Sequence, residues 1–213
     1  TISGIPVPYF EEQSKQFGLD DNSDSNHASF FDFDRDGDLD LFILNHKIGF
    51  KDSAKFRLKE QKDGSMKRIK TPETPFESNR LYRNDGGRFT DVTAIAGLVS
   101  SAFGLSATPV DIDRDGWLDI YVANDFIEPD NVFFNNRDGT FTDHFFDYFK
   151  HTSHFSMGTD ATDFNNDGLV DIIVVDMKSG DHVRYKELAN PMQYDKYNLM
   201  VQYGYGRQPG RNM

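Results

Sequence analysis

Cysteine is absent from this 213-residue chain, so disulfide staples and thiolate metal sites are excluded. No apolar run approaches the ~20 residues that a membrane-crossing helix needs, and no secretory leader is written into the first residues. The chain does not open on Met; the expectation is that a leader or upstream region has been removed and that the protein works extracellularly, at the cell surface or in a periplasm. Positive charge is in short supply. Lys and Arg number 23 against 35 Asp and Glu, a net charge of −12, which argues against a nucleic-acid partner because phosphate binding needs a basic surface. Also missing are a phosphate-cradling Gly loop, a Gly-x-Ser-x-Gly elbow and a His-Glu-x-x-His helix.

What the chain has in quantity is aromatic side chains, 20 Phe and nine Tyr, which suit layered β-sheets better than a slim helical bundle. It also repeats itself. DFDRDGDLD (32–40), DIDRDGWLD (111–119) and DFNNDGLVD (163–171) are versions of one string, and NRLYRNDGGRFTD from Asn79 is echoed by NVFFNNRDGTFTD from Asn131. Sliding the chain by 52 residues superposes 79–124 on 131–176 without a gap, with 14 of 46 columns identical, among them Asn79/Asn131, Phe89/Phe141, Phe103/Phe155 and Gly116/Gly168. The runs LFIL, IYVA and IIVV follow the three loops, and NRLYRN and NVFFNN are further strand candidates, each leading through a turn to RFTDV or TFTDH. Short strands between Gly, Asn and Asp turns describe four-stranded blades, which must stack because one sheet cannot bury both faces alone.

The expected fold class is therefore all-β, a partial β-propeller with units at about 20–78, 79–130 and 131–189. Residues 190–213 would hold an insertion, with Met192, Tyr197, Leu199, Met200 and Tyr203 spaced for a short helix after Pro191. Arg211-Asn212-Met213 would open the next unit. Closed propellers have four to eight blades, so the outer sheets are expected to be open and prone to self-association. The first unit carries an insertion at 46–75, whose core from Lys47 to Lys70 has nine Lys or Arg against three acids. Within it FRLKEQ-KDG-SMKRI reads as a polar hairpin, either a solvated loop or a basic flap able to meet an anionic polymer.

The loops themselves point to calcium. In Asp-x-Asp-x-Asp-Gly-x-x-Asp the carboxylates at positions one, three, five and nine converge, Gly at six permits the turn, and position seven offers its backbone carbonyl. Hard oxygen donors in that number suit Ca²⁺ rather than Mg²⁺ or a transition metal. The expected ligands for up to three ions are Asp32, Asp34, Asp36, Asp38 and Asp40; Asp111, Asp113, Asp115, Trp117 and Asp119; and Asp163, Asn165, Asp167, Leu169 and Asp171. Asp38, Trp117 and Leu169 would act through their carbonyls. An EF-hand is excluded because its twelfth position needs Glu, and Ile43, Val122 and Val174 stand there, inside β-branched runs. The loops hold 12 acids, equal to the whole acidic excess, and neutral Asn165 should make the third site the weakest. His144, His151 and His154 lie close in sequence but in a linker between strands, which disfavours a zinc cluster. Asn45, Asn124 and Asp176, five residues beyond each ninth position, are placed to cap a strand or reach a neighbouring blade.

These loops and the strands around them resemble FG-GAP/VCBS repeats, the calcium-binding blades also found in integrin α-subunit propellers. Phe103-Gly104 followed by Ala107-Thr108-Pro109 resembles that family's Phe-Gly and Gly-Ala-Pro signature. NRLYRNDGGRFTDVTAIAGL, DRDGWLDIYVANDF and NPMQYDKYNLM are similar to bacterial relatives of cartilage acidic protein, the ASPIC-type group. The resemblance covers the chain from about residue 20 onward and implies a seven-bladed ring in the full protein, export, and adhesion or ligand binding. The expected function is a non-catalytic calcium-binding module that binds protein or glycan ligands. The alternative is a calcium-dependent propeller enzyme acting on polysaccharide, a lyase or hydrolase.

Overall fold

The computed structural model describes residues 9–46, 57–69, 72, 74–125, 128–153, 155–177, 198–199, 202–203 and 205. The hairpin string of the first unit gives β1 (Ser25–Phe31) and β2 (Asp40–Asn45), and after the insertion come β3 (Leu58–Glu60) and β4 (Met66–Arg68). Next are β5 (Arg80–Asn84), β6 (Phe89–Asp91), β7 (Phe103–Val110) and β8 (Asp119–Asp125). The chain continues through β9 (Asn131–Asn135), β10 (Phe141–Asp143), a four-residue helix α1 (Phe145–Tyr148), β11 (Ser156–Thr162) and β12 (Asp171–Asp176). Two four-stranded antiparallel sheets result, β1-β2-β5-β6 and β7-β8-β9-β10, with β11-β12 as the described part of a third. The LFIL, IYVA and IIVV runs fall in β2, β8 and β12, as their β-branched composition predicts. The polar hairpin of the insertion is β3-β4, paired Leu58 to Arg68 and Glu60 to Met66.

The first strands of the sheets stand side by side. Asn26 Nδ2 donates to Gly104 O at 3.1 Å and Ser29 Oγ to Ala107 O at 3.2 Å, while Thr108 Oγ1 reaches Thr159 O at 3.1 Å. These bonds satisfy an edge that would otherwise present bare backbone, and the sheets fan outward from β1, β7 and β11. The fit is close: a Cβ on Gly104 would lie 2.6 Å from Leu44 Cδ1, so only glycine lets β7 approach β2 as it does. All three first strands share a register shift at the same place, between Ser25 and His27, Gly104 and Ser106, and Ser156 and Gly158.

The core lies between sheets. Phe42, Leu44 and Leu81 of the first sheet meet Ile120, Val122 and Phe133 of the second. On the opposite face of the second sheet, Tyr121, Ala123, Val132 and Phe134 pack with Phe145, Ile172 and Val174. Strand β8 thus buries both faces, and every one of its residues is inaccessible. In β12 the alternation is one-sided: Ile173 is 48% and Val175 54% exposed, where their sequence counterparts Tyr121 and Ala123 are buried. Among the described residues, that face of the β11-β12 pair is uncovered.

Two expectations need correction. The sequence units at 79 and 131 begin at the third strand of a sheet, so each sheet joins the closing strands of one unit to the first half of the one after it. A repeat read from sequence has no intrinsic phase; hydrogen bonding decides where a sheet begins. The ungapped superposition is also broken by one residue. Leu41 pairs with Tyr82, and its counterpart Ile120 pairs with Phe133, so Tyr82 matches Phe133 and Asn79 matches Asp130 rather than Asn131. The turn 85–88 between β5 and β6 is one residue shorter than the turn 136–140 between β9 and β10, which restores the register. A one-residue slip in a strand would turn every side chain to the other face. The expected helix after Pro191, Arg211-Asn212-Met213 and His154 lie outside the described residues, apart from 198–199, 202–203 and 205.

Replacing Ile120, which is fully buried, by Ala should cost about 2–5 kcal/mol in urea unfolding. The same change at Ile173 should cost less than about 1 kcal/mol; equal losses would contradict a last sheet with an open face.

Candidate metal centre

Each acidic string closes the hairpin between the first two strands of a sheet, with no helix on either side. The three loops share a backbone path. Gly37, Gly116 and Gly168 take φ of 95°, 90° and 83°, and position four is also left-handed, at Arg35 (61°), Arg114 (64°) and Asn166 (60°). The glycine was legible in the sequence. The strained position four was not, because Arg rarely adopts that conformation and gives no sign of it in composition.

Backbone N–H groups then hold the carboxylates inward. Asp32 Oδ2 accepts from Gly37 N–H at 3.1 Å, and Asp36 Oδ1 from Asp38 N–H at 2.9 Å. The second loop repeats this with Gly116 N–H to Asp111 Oδ2 at 2.9 Å and Trp117 N–H to Asp115 Oδ1 at 2.7 Å. The third does so with Gly168 to Asp163 and Leu169 to Asp167, both at 2.8 Å. Among the described residues, oxygens of Asp32, Asp34 and Asp40 lie within 4.8 Å of one another, as do those of Asp111, Asp113 and Asp115. The grouping brings together three of the expected ligands in each of the first two loops, and no histidine joins either set. His144 Nδ1 is instead bonded to Asp147 Oδ2 at 2.7 Å.

The ninth position does more than its spacing implied. Asp40 Oδ2 accepts from Phe33 N–H at 3.0 Å and Oδ1 from Asn84 N–H at 2.8 Å. Asp119 does the same with Ile112 at 2.9 Å and Asn135 at 2.9 Å. Each carboxylate ties the base of its loop to the third strand of its sheet. Burial pushes both carboxyls up to about 6, against the pull of those backbone donors, and neighbouring loop acids add to the rise. Burial also raises Asp34, helped by Asp36. Asp115 goes the other way: burial pushes it up, but the Trp117 N–H and the Arg137 guanidinium, 2.6 Å from Oδ2, outweigh that.

An all-oxygen donor set with the carboxyls of Asp34, Asp40 and Asp119 raised by burial and by neighbouring acids is what a hard cation would relieve. The first loop adds an orphan: Asp32 Oδ1 is buried without a hydrogen-bond partner among the described residues, an uncommon state for a buried polar atom and one that fits a metal ligand. The third loop is poorer. Asn165 Nδ2 donates to Asp167 Oδ2 at 3.1 Å, Asp171 among the described residues receives only Phe164 N–H, at 3.3 Å, and the loop is mostly exposed.

Asn45 and Asn124 turn out to be strand ties within their own sheets, not contacts to a neighbouring blade. Asn45 Nδ2 donates to Ser78 O and Asn124 Nδ2 to Pro129 O, both at 2.7 Å. Sequence reasoning missed Asp130, which is buried at the seam of the second and third sheets. It accepts from Tyr121 Oη at 2.8 Å, Asn124 N–H at 2.8 Å and Ser156 Oγ at 2.9 Å. It stands where the first sheet has neutral Asn79, a match visible only after the register correction. The basic hairpin is anchored rather than free: Arg68 pairs with Glu128 and lies 4.8 Å over the Tyr205 ring, while Lys59, Lys62 and Lys67 are exposed.

A protein-family model described as FG-GAP-like repeat matches this chain at residues 73–122 and again at 111–174. No curated protein matches it significantly.

The raised carboxyls of Asp40 and Asp119 set a pH dependence. Their folded-state values lie above the ordinary 3.8, so their contribution to stability is full below about pH 4 and is lost as pH rises through about 6. In chelator the melting temperature should fall from pH 5 to pH 7, and the Asp40→Asn/Asp119→Asn variant should lose that slope. With calcium present the stabilisation should grow over the same interval, because the ligands must be deprotonated.

Proposed function

Starting from a chain that carries FG-GAP-like repeats, we propose that this is a calcium-binding, non-catalytic propeller module that binds protein or glycan ligands outside the cytoplasm. The observation that carries the reading is one loop path built three times, with acidic oxygens grouped in the first two copies and a buried, unpartnered carboxylate oxygen at Asp32 in the first. Calcium would be held by Asp32, Asp34, Asp36 and Asp40 with the Asp38 carbonyl, and by Asp111, Asp113, Asp115 and Asp119 with the Trp117 carbonyl. Asp163, Asn165, Asp167 and Asp171 with the Leu169 carbonyl form the third set. The ion supplies positive charge that cancels the repulsion of clustered carboxylates and fixes the hairpin.

The chain's own residues carry that stiffness outward. Asp40 and Asp119 connect the loops to Asn84 and Asn135 of the third strands, and Asn135 Nδ2 reaches across the seam to Phe33 O at 2.8 Å. A filled loop therefore braces its own sheet and the next one. The regularly spaced acids are taken up by the loops, which supports binding rather than catalysis. The open face at Ile173 and Val175 is the place where a further blade, or a second copy, would pack.

Trp117 is the single tryptophan of the chain, sits at position seven of the second loop and carries the Arg35 guanidinium 5.4 Å from its ring. Calcium should change its fluorescence saturably, and Asp115→Ala should abolish the change. At 100 times its dissociation constant the ion should add about 2.7 kcal/mol per site. Chelator titration of single-loop variants should empty the third site first; a third site that outlasts the other two would refute the ranking.

A further inference from the structure

The two seams between sheets are not alike at their loop ends. In the seam of the second and third sheets, Phe134 is buried and Tyr148 of α1 stacks on it at 4.7 Å. The corrected register places Arg83 where Phe134 stands, since Tyr82 matches Phe133. After β6 the chain makes only a short turn, 93–97, in place of the aromatic helix. The seam of the first and second sheets is consequently unplugged and holds a cleft of about 310 Å³, a ligand-sized space.

Its walls carry two kinds of chemistry. Phe33, Val92, Ile95 and Trp117 are its apolar lining, and Asp34, Arg83, Arg137 and Asp138 its charged lining. Ile95 is 78% exposed, so its side chain is accessible to a ligand in the cleft. Arg83 is held in orientation by Asp85 through Nε at 2.9 Å and Nη2 at 3.2 Å, and Arg137 by Asp115 through Nε. Among the described residues, Arg83 Nη1 and both Nη atoms of Arg137 have no hydrogen-bond partner. Asp138 Oδ1 is taken by Thr140 N–H and Oγ1, which leaves Oδ2 as a free acceptor.

Fixed donors and an acceptor lining the same cleft as aromatic and aliphatic side chains match a ligand whose edge donates and accepts hydrogen bonds while its faces are C–H. A pyranose ring has that form. A polyanion does not suit the site, because Asp34 and Asp138 line it on a body of net charge −12. We propose that this cleft binds a neutral saccharide, with the ring against Trp117 and Ile95 and its hydroxyls between Arg83, Arg137 and Asp138. The assignment rests on the binding-module reading and specifies its ligand class.

The test is a printed array of neutral and acidic glycans probed with the calcium-loaded chain, followed by calorimetry on the strongest neutral hit. At least one neutral glycan should be retained, and its affinity should fall about tenfold in both Arg83→Gln and Ile95→Glu. The calcium response of Trp117 should be unchanged in those variants. Retention of no glycan, of acidic glycans only, or of a hit indifferent to both substitutions overturns the assignment. A wild-type chain whose Trp117 ignores calcium sinks the metal reading instead, so the two failures are told apart.

Discussion

The structure depends on a buried carboxylate at the end of each of the first two loops. Asp40 and Asp119 are inaccessible, and a lone ion in such a place would be costly. Two backbone donors offset part of that cost, one from the loop base and one from the third strand. The same bonds fix the loop on the sheet, so the geometry of the acidic cluster and the pairing of β2 with β5, or β8 with β9, are one construction. A divalent ion shared with the other loop acids would neutralise what the backbone leaves unbalanced. The third loop lacks the second donor among the described residues, and its acids are correspondingly more exposed.

Stacking supplies the rest. Each sheet has little to bury alone, and β8 shows the completed state, with Ile120 and Val122 facing one neighbour and Tyr121 and Ala123 the other. The inner strands exchange side-chain to backbone bonds, which protects their edges without merging the sheets into one. The loops bridge the seams as well, through Asn135 to Phe33 and Arg35 over Trp117. Order in the acidic loops and sheet packing are thus coupled by short paths, and a disturbance in either should be felt in the other. Small changes at equivalent positions then decide what each seam does. Phe134 with Tyr148 fills one, and Arg83 with Ile95 leaves the other open.

Much of this was legible in the sequence. Asp at positions one, three, five and nine and Gly at six are demanded by local chain geometry, so the loops, the strands beside them and the polar hairpin at 58–68 could be read directly. So could the inadequacy of a single sheet, from short repeated strands such as LFIL, IYVA and IIVV. What the string could not reveal depended on partners distant in the chain. The one-residue offset of β5 against β9 arises from unequal turns and is enforced by which face must be buried. The phase of the sheets, the left-handed Arg35 and Arg114, the buried Asp130 and the unplugged cleft at Arg83 likewise follow from packing. Local composition determined the loops and strands because their requirements are short-range. Their register, seams and cavities were decided by burial between elements, a condition that only the folded arrangement can impose.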